Sequence, residues 1–328
     1  MDGVTAPSTD NAGARDSRRS WRAPRGRVPA ALALLAALLL TFPGSVPNAG
    51  PRLGSLLESF LPWLGLAVPV LLVAALVRRS ALAAAAVLLP LAAWGALFGH
   101  LLLPGPGPQP RELLVLQHNV SDENTDPVGT ARAMAAAGPD LIGVQELLPE
   151  AVESYRRTLD PEYPHHAVRG TVALWSEHPL RDVTALDIKP RDLTEPWNRG
   201  LRAAVDTPHG EVVVHVVHLP SMRLGAGGLS SQRRDESAAL LGRVIDEETP
   251  GTVILLGDLN GATEDRGLAP LTDRLNVPER GFGFSFPVGL PVARIDQVMA
   301  RSATVADLRT LPATGSDHLP VTARILLP

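Results

Sequence analysis

Cysteine is absent from the 328-residue chain, so neither a disulfide framework nor a thiolate metal site can form. An oxidising compartment is neither required nor excluded by that. There is no HExxH motif, which argues against the transition-metal reading that His218 and His318 also admit. No internal repeat is visible. Positive charge is scarce in the C-terminal two-thirds. Before Pro104, nine Arg face three Asp and one Glu; from Pro104 onward, 21 basic residues face 30 acidic ones, a net of −9. A nucleic-acid backbone needs a positive surface, so this part of the chain is a poor match for one.

What is present begins with apolar runs. Residues 1–27 hold Arg15, Arg18, Arg19, Arg22, Arg25 and Arg27 without apolar periodicity, and read as a disordered basic tail on the cytoplasmic side. Val28–Phe42 is an apolar run of 15 residues, short of the roughly 17–25 that a span needs. It either extends through Pro43 to Val46 or forms a signal-peptide core. The absence of a clean small-x-small cleavage site near Pro47–Gly50 favours a retained span. Leu56–Val77 and Ala81–Leu103 are longer and nearly uncharged, with Glu58 near the start of the first. Two adjacent runs of this kind are rare in soluble domains.

The expected anchor therefore covers residues 28–103, with spans at about 28–46, 56–77 and 81–103. The Arg-rich tail and Arg78-Arg79 set the orientation, and three spans put everything after Leu103 outside the cytoplasm. Pro104–Pro110, PGPGPQP, is a semi-rigid linker.

Residues 111–328 alternate strand and helix signals. Strands are expected at Glu112–His118, Asp140–Gln145, Thr171–Trp175, Val183–Ile188, Arg202–Asp206, Glu211–His218, Arg294–Ala300, Val305–Leu311 and Val321–Leu327. Helices are expected at Pro127–Ala137, Pro149–Leu159, Leu229–Glu248 and near Leu268–Arg274. Pro208-His209-Gly210 joins two of the strands as a hairpin. Many strands with few helices imply two packed sheets covered by helices.

The central stretch is Val253–Gly261, VILLGDLNG. Its apolar run reads as a buried strand, with Asp258 and Asn260 just past its C-terminal end, where α/β sheets place their chemistry. Taken alone, an Asp-x-Asn after a strand is more often an ordinary turn. Polar residues recur at other strand ends, however: Gln117-His118-Asn119, Gln145-Glu146, His218, Arg294-Ile295-Asp296 and Ser316-Asp317-His318. Each alone has a bland structural reading; six together point to one site.

With QHNV, GVQEL, VVHL, GDLN, RIDQV and SDHLPV in hand, residues 111–328 resemble the endonuclease/exonuclease/phosphatase (DNase I-like) superfamily. The resemblance implies a mixed α/β fold, a four-layer β-sandwich flanked by helices. It implies hydrolysis of phosphoester or phosphoanhydride bonds with Mg²⁺, or Mn²⁺ in its place. Glu146 matches the principal metal carboxylate, with Asn119 close by and Asp317 near the metal. Asp258 matches the residue that orients or deprotonates the attacking water. Asn260 and His218 match donors to the transferring phosphoryl group. His318 matches the histidine on the scissile phosphate, and Asp296 its carboxylate partner.

One departure is Gln297, where family members often carry His. Arg202, Arg233 and Arg234 are open to two readings, phosphate contacts or exposed charges. Closer resemblance is to bacterial membrane-bound members of the VanJ type, which implies a phosphorylated membrane lipid such as undecaprenyl pyrophosphate as substrate, and teicoplanin resistance. An anchored nuclease, a phospholipid phosphodiesterase and a non-catalytic membrane sensor or scaffold are the competing readings.

Overall fold

A computed structural model describes residues 26–249 and 251–328. Apart from its last two residues, the basic tail read in 1–27 lies outside them.

Beyond the linker the chain builds two sheets. The first has strand order β12-β13-β1-β2-β4-β3, from β1 (Glu112–Asn119), β2 (Leu141–Gln145), β3 (His165–Arg169), β4 (Val172–Ser176), β12 (Thr304–Thr310) and β13 (Val321–Leu326). The second has order β11-β10-β7-β6-β5, from β5 (Leu180–Ala185), β6 (Gly200–Thr207), β7 (Gly210–His218), β10 (Thr252–Asp258) and β11 (Asp296–Arg301). A small hairpin, β8 (Leu224–Gly225) and β9 (Gly228–Leu229), stands apart.

The apolar runs decide the layering. Ile254 and Leu256 face Val115, Leu141 and Leu174 of the other sheet, while Leu255 faces outward onto Leu241 and Ile245 of α7 (Gln232–Glu247). Alternate residues of β10 thus serve two cores, which is why its sequence is apolar without a break. Each such leucine contributes roughly 1.5–3 kcal/mol by leaving water. On the far side, α5 (Pro127–Ala135) and α6 (Pro149–Leu159) cover Leu116, Ile142 and Trp175 with Met134, Tyr155 and Leu159. Two sheets lie face to face with helices outside both. Gly143 of β2 lets the sheets approach closely, since a Cβ there would lie 2.9 Å from Leu256 Cβ.

Differences from the expected elements have local causes. β3 carries no apolar alternation, only Ala167 buried among His165, His166, Val168 and Arg169 on an edge strand. The stretch from Leu229 opens as the β8–β9 hairpin before α7 begins at Gln232. Leu268–Arg274 is a 3₁₀ turn, Arg266–Leu268, followed by the one-turn α8 (Ala269–Thr272).

The N-terminal part forms α1 (Arg27–Thr41), α2 (Leu53–Ser59), a 3₁₀ turn at Leu61–Leu66, α3 (Ala67–Val77) and α4 (Ala81–Phe98). Ala81–Leu102 is a helix of 22 residues, long and apolar enough to cross a membrane. α1 is shorter. The segment expected as one span over 56–77 is broken, with a 71° bend between Leu53–Ser59 and Leu61–Val77. Pro62 lies at the start of the 3₁₀ turn, where its missing N–H interrupts the helical ladder.

The segment on both sides of the bend is docked on the two-sheet domain. Glu58 is buried, and Arg266 grips its carboxylate with Nε at 2.8 Å and Nη2 at 2.7 Å. Arg52 pairs with Asp235 at 2.6 Å. Trp63 donates its indole N–H to Val292 O at 2.8 Å and stacks on Phe284. The remaining helices leave Leu34, Val70, Val73 and Leu88 exposed, an uncovered apolar surface.

Candidate active site

Strand register builds the site. In the second sheet Asp258 of β10 stands opposite His218 of β7 on one side and Asp296 of β11 on the other. Residues in one such row share a face of the sheet. From the first sheet, Gln117 and Asn119 of β1, two apart and so on one face, reach across. Gln117 donates to Asp296 Oδ1 at 2.9 Å, and Asn119 donates to Asp258 Oδ2 at 3.1 Å. His118 between them faces the other way, against Thr314, and burial lowers it to about 3.

His318 completes the row. Its Nδ1 lies 2.8 Å from Asp296 Oδ2, which also accepts from Ser285 Oγ at 2.5 Å, and its Nε2 lies 3.9 Å from Asp258 Oδ2. Ser316 holds the loop in place, accepting from the His318 backbone N–H and donating to Asn119 O. The Phe286 ring packs 4.8 Å from the imidazole. Burial works to lower His318, but the charge of Asp296 and their hydrogen bond outweigh it and raise the imidazole to about 10. Burial likewise works to raise Asp296, but His318 and Ser285 hold it below the usual carboxylate range. Asp258 goes the other way: burial pushes it up to about 7 against the pull of His318.

Glu146 enters from the loop after β2 with φ 56°, a left-handed backbone that costs a non-glycine residue of order 1–3 kcal/mol and concentrates at functional sites. Its neighbours are fixed, Gln145 O accepting from Val120 N and Leu147 N donating to Thr171 O. Its side chain is 28% exposed, and Oε1 lies 3.7 Å from His218 Nε2.

His218 Nε2 is also 3.7 Å from Asp258 Oδ2 and has no hydrogen-bond partner although it is buried. On the other edge of the ring, Arg199 Nη1 donates to Nδ1 at 3.3 Å. A guanidinium cannot accept, so Nδ1 is the acceptor and Nε2 carries the proton. Burial, then the charges of Arg199 and His318, lower His218 to about 3. The two histidines are thus pushed apart: His318 a cation, His218 a neutral donor aimed between Glu146 and Asp258.

Other expected residues sit less centrally. Asn260 has φ 47°, its backbone N–H donates to Asp258 Oδ1 at 2.9 Å, and its amide donates to Leu219 O at 3.0 Å. It therefore steers Asp258 and keeps one amide N–H free of that bond. Asp317 is exposed at the rim beside His318. Gln297 is buried on the opposite face, donating to Gly261 O and Arg294 O.

Arg202 is not brought to the cluster: Glu248 takes it in a bidentate pair at 2.6 and 2.9 Å. Arg233 pairs with Asp192 at the surface, and Arg234 is fully buried against Asp265, with 2.5 Å between Nη2 and Oδ2. The basic residue at the site is Arg199, stacked 4.2 Å over Trp197. Hairpin register could have found it: pairing Thr207 with Gly210 puts Gly200 opposite Val217, and one step further puts Arg199 beside His218. Arg202 lies an odd number of residues away, on the other face.

Two sets of oxygen-rich ligands deserve comparison for a divalent cation. Asp258, Asp296 and His318 bring ligand atoms within 4.8 Å of one another, but a protonated His318 has no lone pair to give and Asp296 is engaged with it. Glu146 suits a hard cation better. It is a partly exposed carboxylate, and its Oε1 and Asp258 Oδ2 both lie 3.7 Å from His218 Nε2; a hard cation usually keeps several waters and needs only one or two carboxylates.

The family model of the Endonuclease/Exonuclease/phosphatase family matches residues 116–318. The chain belongs to the endonuclease/exonuclease/phosphatase family. Members of this family are divalent-metal-dependent enzymes that hydrolyse phosphoesters, and this member is a hydrolase of that class. Solved structures share the fold at low identity. Sphingomyelinase C from Streptomyces griseocarneus is 19% identical, with TM-score 0.51 over 65% of this chain and 99% of its own. A mannosyl-6-phosphatase of Bacteroides thetaiotaomicron is 15% identical, with TM-score 0.54 over 66% and 100%. A humanized D. rerio TDP2 is 18% identical, with TM-score 0.51 over 65% and 98%. No curated protein matches the chain.

Proposed function

We propose that this family member is a membrane-anchored, Mg²⁺-dependent phosphohydrolase, its catalytic domain outside the cytoplasm, acting on a lipid-linked pyrophosphate such as undecaprenyl pyrophosphate. The observation that supports the chemistry is the placing of Asp258 between two histidines of opposite protonation, Nε2 of each within 3.9 Å of its Oδ2.

In this reading Asp258 accepts the proton of the attacking water; a base near 7 is matched to neutral pH. The water oxygen bonds to phosphorus as the P–O bond to the leaving group breaks. The His318 cation and the N–H of His218 stabilise the charge on the phosphoryl oxygens. Asp296, Gln117 and Ser285 hold His318 in orientation. Glu146 and Asn119 are the residues to hold the metal. When bound, Mg²⁺ would neutralise phosphoryl charge and lower the pKa of a coordinated water.

The membrane reading rests on the apolar helices and on Arg78-Arg79 at their turn, which favours the cytoplasmic side. A lipid pyrophosphatase outside the cytoplasm would fit a role in cell-wall precursor recycling and in teicoplanin resistance. The experiment is a panel: full-length protein in detergent with Mg²⁺, given polyprenyl pyrophosphate, sphingomyelin or supercoiled plasmid. Phosphate release from the first supports the proposal. Phosphocholine release or nicking alone would reassign the enzyme to a phosphodiesterase or a nuclease.

A further inference from the structure

Beside the catalytic row runs a groove of about 350 Å³, within the size range of small-molecule sites. Asn260 and Phe286 line it, the latter packed on His318. Leu56 and Phe60, at the bend of the N-terminal apolar segment, line it too. Leu224 and Leu229 of the β8–β9 hairpin complete the apolar lining from a third element.

The hairpin is seated on that same segment. Leu229 N–H donates to Pro51 O at 3.0 Å, and Gly228 at φ +98° approaches Pro51 so closely that a Cβ would collide with its backbone. The groove is therefore made jointly by the catalytic domain and the apolar N-terminal part. Its polar side chains are largely engaged elsewhere: Arg294 with Glu264 at 2.6 Å, and Ser59 with Ser55 O at 2.8 Å.

Exposure adds a second argument. Among the described residues after Leu103, the exposed large apolar side chains are Leu224, Val277 and Leu290. Two of them border the groove: Leu224 lines it, and Leu290 lies in the loop between Pro287 and Val292 that walls it. Single exposed leucines are ordinary; what these two add is apolar surface next to the groove rather than elsewhere on the domain.

We infer that this groove holds the hydrocarbon chain of the substrate, a phosphorylated membrane lipid whose phosphate lies at Asp258 and His318. This rests on the hydrolase reading and narrows it to substrates whose chain is joined directly to the phosphate. Its lining joins residues held against the charged cluster, Asn260 and Phe286, to residues of the apolar N-terminal segment, Leu56 and Phe60, so it suits an amphiphile drawn from the bilayer. A small water-soluble phosphoester would leave the apolar lining uncovered.

The test compares the affinities of two non-hydrolysable probes, farnesyl and dimethylallyl methylenediphosphonate, for the full chain in detergent with Mg²⁺. The farnesyl probe is expected to bind at least about tenfold tighter, from the extra apolar area it buries. Leu224→Ser and Phe60→Ser are expected to bring the ratio close to one. Val73→Ser, on an exposed face of α3, keeps it; unchanged thermal midpoints establish that the variants are folded. Equal affinity of the two probes, or a ratio that neither groove variant moves, overturns the inference. Phosphate release from the corresponding diphosphates is measured alongside. Chain-dependent binding without release would overturn the hydrolase reading and leave the groove standing.

Discussion

His318 turns Nδ1 to Asp296 at 2.8 Å and Nε2 toward Asp258 at 3.9 Å, so one imidazole links two buried carboxylates of different character. Asp296 keeps the ring charged; Asp258, buried and held by Asn119 and Asn260, is the base of the proposed chemistry. Nitrogen NMR of histidine-labelled protein should therefore show His318 doubly protonated at neutral pH, losing its proton only near 10. His218 should be the neutral Nε2–H tautomer, gaining a second proton only near 3. A neutral His318 at pH 7 would remove the cation from the proposed chemistry.

The pH dependence of turnover follows from the same groups. Asp258 works when deprotonated, so the rate should rise as pH climbs through about 7. His318 works when protonated, so the rate should fall as pH climbs through about 10. A cation bound at Glu146 favours the ionised Asp258 and moves the acid limb lower. Asn119→Ala removes a hydrogen bond that favours the carboxylate, and should move that limb upward. An acid limb that stays in place in this variant would separate it from Asp258.

Arg199 acts through His218 as a positioning residue. Arg199→Met leaves Nδ1 without its donor, so the ring is free to take the other tautomer. A new Nδ1–H population in the spectrum, with a drop in turnover of roughly tenfold or more, is expected. A purely structural role would lower stability and leave the tautomer unchanged.

Arg234 and Asp265 form a pair with no side-chain exposure on either partner. Arg234→Ala strands Asp265 and should cost about 3–5 kcal/mol, read as a large fall in the thermal midpoint in detergent. An unchanged midpoint would show that the pair contributes little.

Much of this was legible in the residues, and the failures are instructive. β10 was readable because both its faces are buried and its run is apolar throughout. Glu146, His218 and Asp258 stand out in the sequence because each lies at the end of an apolar strand, and His318 because it shortly precedes one. β3 does not, because an edge strand with one buried alanine carries no pattern. Charge alone leaves Arg202 open to two readings; face parity in β6 gives it to Glu248 and puts Arg199 at the site. Glu58, odd in an apolar run, is explained only by Arg266, which lies 208 residues away in sequence. Gln117 and Ser285, which hold Asp296, needed the packing of one sheet on the other.

The most direct measurement is phosphate release from undecaprenyl pyrophosphate by the full-length protein and by Asp258→Asn, with Mg²⁺ and with excess EDTA. The wild-type protein should release phosphate with Mg²⁺ and stop in EDTA, and the folded variant should fall by a factor of roughly 10²–10⁴. Release at the wild-type rate by Asp258→Asn, or release undiminished by EDTA, would contradict a cleft organised around that carboxylate and a divalent cation.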